Sequence, residues 1–256
     1  MIIEDYTGLM IILSAMNCNK FLNVYIRNGI KSLCKLFRYR KEVEFWKTIY
    51  FNFHYFSFKM ALSIPVFIFC RSELYKLSGH IIINAPIETG MVKIGSRSLG
   101  TQDVVRSRTI WDVSGVLVIN GKVDIGRGSK ICIGEDATLT LGDSFVITGD
   151  SAIICQHEIT FGNHCLLSWD ILLMDTDFHH VLNTSGQTTN PPRPIIIGNH
   201  VWICARNTIL KGVKIADDNI IAANSTITQS VLDTNCVISG HANSIVIIKR
   251  NINWEV

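Results

Sequence analysis

Apolar positions along this chain change their beat twice. Over 21–36 they recur at helical spacing, and 45–58 adds an aromatic stretch of the same kind. From His80 the runs become short and β-branched, at 80–83, 91–94, 116–119 and 123–125, with glycines between them. Gly126, Gly134 and Gly142 then follow Ile125, Ile133 and Leu141 at even steps, so these early rungs are longer than six residues. Further on, Ile197, Ile203, Ile209, Ile215, Ile221 and Ile227 fall on every sixth residue. A helix face repeats near 3.6 residues and a half-buried strand at 2, so a six-residue beat needs a chain that turns a corner every six residues. That is the signature of a β-helix, whose stacked coils cover one another's apolar faces.

Three hexads make one triangular coil, which predicts coils over 161–178, 197–214 and 215–232 with their leading residues stacked in columns. The chain therefore divides into an N-terminal helical and irregular region (1–78), a β-helix (79–232) and a C-terminal segment (233–256). Between the first two of those coils the beat stops. The interruption, about 179–194, is polar, contains Gly186 and closes on Pro191, Pro192 and Pro194, so it should leave the coil as a protruding loop.

Composition narrows the function. The net charge of +3 is too mild for a nucleic-acid footprint, and no zinc-finger spacing is present. Arg38, Arg40 and Lys41 read as a solvated helix face. Eight cysteines stand singly, without a C-x-x-C pair, which fits a reducing compartment. The apolar stretch 8–16 is too short to cross a bilayer and lacks a basic leader. The greasy 50–70 stretch, interrupted by His54 and Lys59, admits peripheral membrane association as well as packing against the solenoid end.

The stretch Asp175-Thr176-Asp177-Phe178-His179, the loop after it, then Ile197-Gly198-Asn199-His200-Val201-Trp202-Ile203 and Ile209-Leu210-Lys211-Gly212-Val213 resembles the left-handed β-helix acyltransferases with hexapeptide repeats. Within them it is similar to the sugar O-acetyltransferases of maltose, galactoside, nodulation-factor and capsular-polysaccharide type. The likeness covers 121–231, with a weaker one over 47–78. It implies an all-β core wound as a left-handed parallel β-helix. It also implies acetyl-CoA as cosubstrate without a metal, a sugar or polysaccharide hydroxyl as acceptor, and a cytoplasmic homotrimer, with the inner membrane face as a second placement. Active sites would lie between subunits.

In that family the histidine opening the loop is the general base, and His179 occupies its position. Imidazole suits the task because its pKa lies near working pH. Asp175 and Asp177 are candidates to orient it. His180 is a second candidate for substrate contact, as is Trp202, whose ring would wall the pocket or stack on a sugar. The resemblance assigns CoA contacts to Ala205, Ala223 and Gly212. Cys204 stands where a glycine is usual, Gln229 where a lysine is common, and Gly240-His241-Ala242-Asn243 replaces a Gly-Asn-Pro-Ala ending, all of which bear on CoA binding.

Three other readings share these residues. His157, His164, His179, His180 and His200 raise a γ-carbonic-anhydrase-like zinc site, although the H-x-x-x-x-H pair of those enzymes is missing. An N-acyltransferase acting on an amino sugar needs the same base. A non-catalytic β-helix scaffold explains the columns but leaves the histidine at the break without a purpose.

Overall fold

The computed structural model describes residues 20–100, 102–241 and 244–255, with side chains from Arg27 onward. Three helices come first: α1 (Lys20–Arg38), α2 (Phe45–Tyr55) and the single turn α3 (Phe58–Ala61). Strands then follow three to a coil. They are β1 (Val66–Ile68), β2 (Ser72–Lys76) and β3 (His80–Ile83); β4 (Val92–Ile94), β5 (Thr109–Val113) and β6 (Val116–Ile119); β7 (Val123–Ile125), β8 (Lys130–Ile133) and β9 (Thr138–Leu141). Next come β10 (Phe145–Gly149), β11 (Ala152–Cys155) and β12 (Glu158–Phe161); β13 (Leu166–Trp169), β14 (Leu172–Met174) and β15 (Ile195–Ile197); β16 (Trp202–Ile203), β17 (Thr208–Leu210) and β18 (Lys214–Ile215). The helix ends on β19 (Ile220–Ile221), β20 (Thr226–Ile227), β21 (Cys236–His241) and β22 (Ser244–Arg250).

Every third strand joins the same sheet, giving a prism with three faces. The first face runs β1-β4-β7-β10-β13-β16-β19-β21-β22, the second β2-β5-β8-β11-β14-β17-β20, and the third β3-β6-β9-β12-β15-β18. Pairing is parallel except for the closing β21–β22 hairpin. The architecture is the parallel β-helix expected from the hexads, of the left-handed class that the resemblance implies.

Register accounts for the isoleucine ladder. On the first face Ile68, Ile94, Ile125, Ile147, Leu167, Ile203, Ile221 and Ile238 pair in succession. All of them are buried. Trp111, Ile131, Ile153, Leu173, Ile209 and Ile227 form the column of the second face, and Phe161, Ile197 and Ile215 align on the third. At about 1.5–3 kcal/mol per fully buried aliphatic side chain, such columns are the main cohesive element of the coil. Gly126, Gly134 and Gly142 close β7, β8 and β9, so their step of eight marks the three corners of one longer coil. At Gly142 an added Cβ would run into the backbone of Gly162 in the coil above, which requires glycine there.

Polar side chains clamp the corners between coils. Where the third face turns into the first, Asp143 accepts the Lys122 N–H (2.7 Å), Asn163 that of Asp143 (2.8 Å), Asn199 that of Asn163 (2.9 Å) and Asp217 that of Asn199 (2.7 Å). Each side chain thus satisfies a corner amide that has no strand partner.

The β-helix begins at Val66, inside the stretch assigned from sequence to a helical and irregular region. The three residues of β1 are all buried, because α2 covers the outside of the strand, so no period-2 alternation marks it. Asn52 donates to Val66 O (2.7 Å) and accepts from Val66 N (3.1 Å), while Thr48 Oγ1 accepts from Ile68 N (3.0 Å). Those bonds close the free edge of the first face, which would otherwise template pairing with another chain. At the far end the segment assigned to 233–256 supplies β21 and β22 to the same sheet. Each described cysteine is unpaired, and burial pushes the Cys165 thiol up to about 12, as suits a small core hydrophobe.

Candidate active site at the loop

The break in the hexad beat lies between β14 and β15, at the corner between the second and third faces. Leu167 pairs with Ile203 across it, as Ile203 pairs with Ile221 beyond it, so the coil continues undisturbed while the excursion projects outward. The chain leaves at Phe178, whose φ of 60° is a left-handed conformation unusual for a bulky residue. Phe178 N–H donates to Thr176 Oγ1 (3.1 Å), and His179 N–H to Asp177 O (2.7 Å). A sharp turn of this kind at a functional site has a cost of about 1–3 kcal/mol that the surrounding bonds must offset.

The excursion is a small ordered arm. Leu182 and Thr188 form an antiparallel bridge, and Gly186 takes a positive φ of 81° at the tip. Asn190 joins the two sides: its Nδ2 donates to Asp177 Oδ2 (2.7 Å) and to His179 O (2.8 Å), while its Oδ1 accepts from Val181 N (2.6 Å). Lys211, on the next coil, donates from Nζ to Asp177 Oδ2 (2.6 Å) and Asn190 O (2.9 Å). Its side chain is only 12% exposed. The Lys211 and Asn190 hydrogen bonds hold the Asp177 carboxyl below the usual carboxylate range.

These contacts separate the two aspartates named as candidate orienters of His179. Asp175 is fully buried, and its carboxylate accepts the N–H groups of Gln156, His157 and Glu158 at 2.8–2.9 Å. It clamps the corner of the preceding coil and reaches no histidine ring. Asp177 fixes the root of the arm through Lys211 and Asn190, and its link to His179 runs through the backbone. Both His179 and His180 are exposed, and among the described residues neither imidazole makes a hydrogen bond or ion pair.

Trp202 lies elsewhere in the same chain. It sits half-buried on the first face, donates from Nε1 to Ser168 Oγ (3.1 Å), and has Trp254 at 5.8 Å between ring centroids. Trp254 stacks on His200 at 4.2 Å, and His200 in turn meets Asp218 at 2.9 Å. The C-terminal tail thereby covers one side of the Trp202 environment. A face of the prism is roughly 15–20 Å wide for about six extended residues, so His179 at one corner and Trp202 across the second face do not converge within one chain.

The three residues assigned to CoA also divide. Ala205 and Ala223 stack one coil apart at the corner between the first and second faces, joined by the Asn224 N–H to Ala205 O bond (3.0 Å). Gly212, with φ 81°, lies at the loop corner, where its N–H donates to Arg193 O and Pro194 O and an added Cβ would press on the Arg193 guanidinium at 3.1 Å. Its structural task is to seat the returning end of the arm. Cys204 precedes Ala205 half-buried, with its thiol pushed up by burial. Gln229 is exposed beyond β20, and Ala242 and Asn243 lie outside the described residues. Among the described residues no group of three or more His, Cys, Asp or Glu converges as metal ligands would.

Asn190 and Lys211 were not singled out from the sequence. Lys211 lies within the Ile209–Val213 stretch and Asn190 beside the prolines, but their meeting on Asp177 depends on the coil bringing 177, 190 and 211 to one corner. Trp254 carried no signal at all.

Residues 194–229 match the family described as bacterial transferase hexapeptide (six repeats). A polysialic acid O-acetyltransferase of Escherichia coli O1:K1 / APEC is 29% identical over 137 residues, 53% of this chain and 41% of that protein. The galactoside O-acetyltransferase of Escherichia coli K12 is 30% identical over 97 residues, 37% of this chain and 47% of its own. The chain thus spans less than half the length of either relative. Among solved structures, the polySia-specific acetyltransferase NeuO aligns with a TM-score of 0.44 and 23% identity over 75% of this chain and 79% of that one. By its repeat, its coil and these relatives, the chain carries a hexapeptide repeat over 194–229 and is similar, over part of its length, to sugar O-acetyltransferases.

Proposed function

We propose that the protein transfers an acetyl group from acetyl-CoA to a hydroxyl of a surface-polysaccharide sugar or its precursor, with His179 as general base. One observation carries this reading. The break in the hexad beat just before the isoleucine ladder presents an exposed imidazole whose backbone is fixed by Asn190, while Asn190 and Asp177 are themselves tied to the rigid wall through Lys211. A ring held at its backbone and open to solvent can accept a proton from an incoming hydroxyl. As the hydroxyl oxygen bonds to the thioester carbonyl carbon, its proton passes to the imidazole. The C–S bond then breaks, and the imidazolium returns that proton to the departing CoA sulfur, leaving an ester and a free thiol.

The separation of His179 from Trp202 and from the Ala205–Ala223 corner supports a site completed by a second copy. His179 of one protomer would meet the alanine corner and Trp202 of its neighbour, in a cyclic trimer. The arm carries exposed Phe178, Val181 and Leu182, each between 57% and 58% exposed, which are suited to cover on such a neighbour. Small residues at the alanine corner let an extended pantetheine chain approach the backbone. Asp177 and Lys211 take the part of positioning residues, and Trp202 that of an acceptor wall.

The test is thiol release from acetyl-CoA by the purified full chain across a panel of capsule-type oligosaccharides. Acceptor-dependent release and a product labile to hydroxylamine are expected. A hydroxylamine-stable amide would assign the acceptor to an amino sugar, and no acceptor-dependent release across the panel would overturn the reading.

A further inference from the structure

Among the described residues, the helices at the start of the chain leave an apolar face without cover. Helix α1 turns Ser32 and Leu36 into the body, and α2 does the same with Thr48, Phe51 and Asn52. Between α1, α2 and α3 an open apolar groove of about 680 Å³ remains, lined among others by Leu33, Trp46, Phe53 and Phe58. Its rim is unusually bare: Trp46 is 80% exposed and Phe58 70%. Tyr50, stacked on His54 at 5.7 Å, extends the aromatic surface.

Charge is distributed to match. Residues 1–71 carry ten of the chain's 24 Lys and Arg but four of its 21 Asp and Glu, so the modest net charge conceals a basic end and a mildly acidic coil. Helix α1 contains no acidic residue. At about 100° per residue, Arg27, Lys31 and Arg38 form one stripe beside the half-buried Ile30 and the exposed Leu33 and Phe37, while Lys35, at the edge of that stripe, donates from Nζ to Thr89 O. None of the described helices is long and apolar enough to cross a membrane.

We propose that this face docks the protein on an anionic lipid bilayer, with Trp46, Phe53, Phe58 and Leu33 entering the interface and the α1 stripe meeting the headgroups. Exposed aromatic residues beside a basic helix stripe are the combination that an interfacial attachment requires, since the rings favour the headgroup level and the cations the negative surface. A second copy of the chain is a poorer occupant. An isologous contact through this groove would bring the same basic stripes toward each other. The inference is independent of acetyl transfer.

Flotation of the full chain with phosphatidylcholine vesicles containing about one quarter phosphatidylglycerol, against pure phosphatidylcholine, tests it. Binding should be at least about tenfold stronger on the anionic vesicles. Trp46→Ser with Phe58→Ser should weaken partition about tenfold or more, and Lys31→Gln and Arg38→Gln about fivefold each. All four positions are exposed, so melting should not change. Equal partition on both vesicle types, or binding indifferent to the aromatic pair, would overturn the proposal. So would a wild-type self-association through this face that Trp46→Ser abolishes, or Trp46→Ser releasing residues 1–19 to protease without affecting flotation, which would assign the groove to the chain's own N-terminus.

Discussion

The coil over 197–227 and the arm over 178–194 are neighbours held by opposite means. The coil is an apolar column system in which each isoleucine covers the one below, and its polar groups serve only to close corners. The arm has almost no buried apolar side chain; Asn190, Asp177 and Lys211 tie it to the wall by charged and amide hydrogen bonds. Column packing is redundant along the axis, whereas the arm depends on a few groups at one corner. Stability and chemistry are therefore expected to separate by mutation, and the two regions differ in which measurement each substitution moves.

The largest effect belongs to the arm. His179→Ala should lower kcat by about 10²–10⁴-fold, the usual contribution of a positioned general base. The ring makes no contact that the fold requires, so the thermal melt should stay within a degree or so of wild type. Steady-state turnover beside a melting curve checks both, and unchanged turnover would remove His179 from the mechanism. Ile203→Ala is the counterpart in the coil. It opens a cavity in the first-face column and should cost about 2–5 kcal/mol of stability, seen as a lower midpoint in denaturant, while molecules that remain folded keep their kcat.

The two regions also differ in how far they were legible in the sequence. Ile197 to Ile227 could be read directly, because side chains that repeat with the coil must share its period; each rung pairs with the next as the hexads require. Gly126, Gly134 and Gly142 showed a longer coil only as a step of eight. Val66 to Ile68 was hidden, since burial on both sides erased the alternation by which a strand is known. At the candidate site, His179 stands out because it opens the interruption. Asp175 was misleading for a physical reason: adjacency in sequence placed it near His179, but its side chain points back to the corner amides of Gln156, His157 and Glu158. Asn190 and Lys211 meet only after the coil has closed, and no local pattern encodes that meeting.

A smaller effect sharpens the comparison at its boundary. Asn190→Ala removes the bonds to Asp177, His179 O and Val181 N, and should lower kcat about tenfold through misplacement of the ring. KM for acetyl-CoA should change little, because none of the bonds that Asn190 makes reaches the alanine corner proposed to hold CoA. The column packing is untouched, so the global melt should fall by no more than about 1–2 kcal/mol. A loss confined to KM would instead mean that the arm holds substrate and does not position His179.

The smallest effect is one of pH, and its sign follows from Asp177. Its carboxyl is held below the ordinary value by Lys211 and Asn190 in the folded state, so the unfolded chain binds the proton more readily. The clasp then contributes stability that is fully present above the unfolded carboxylate pKa, about 3.9, and is lost as pH falls through the lower folded value. Asp177 is exposed, so screening keeps the contribution modest. Between about pH 5 and 8 the arm should therefore keep its structure. Amide exchange at Val181 and His179, followed from neutral pH to about 3, checks this: protection should persist down to about pH 4 and vanish only in acid. If protection were already lost near pH 6, the clasp would not rest on the Asp177 carboxylate, and the contrast between an apolar coil and an arm held by charge would be lost.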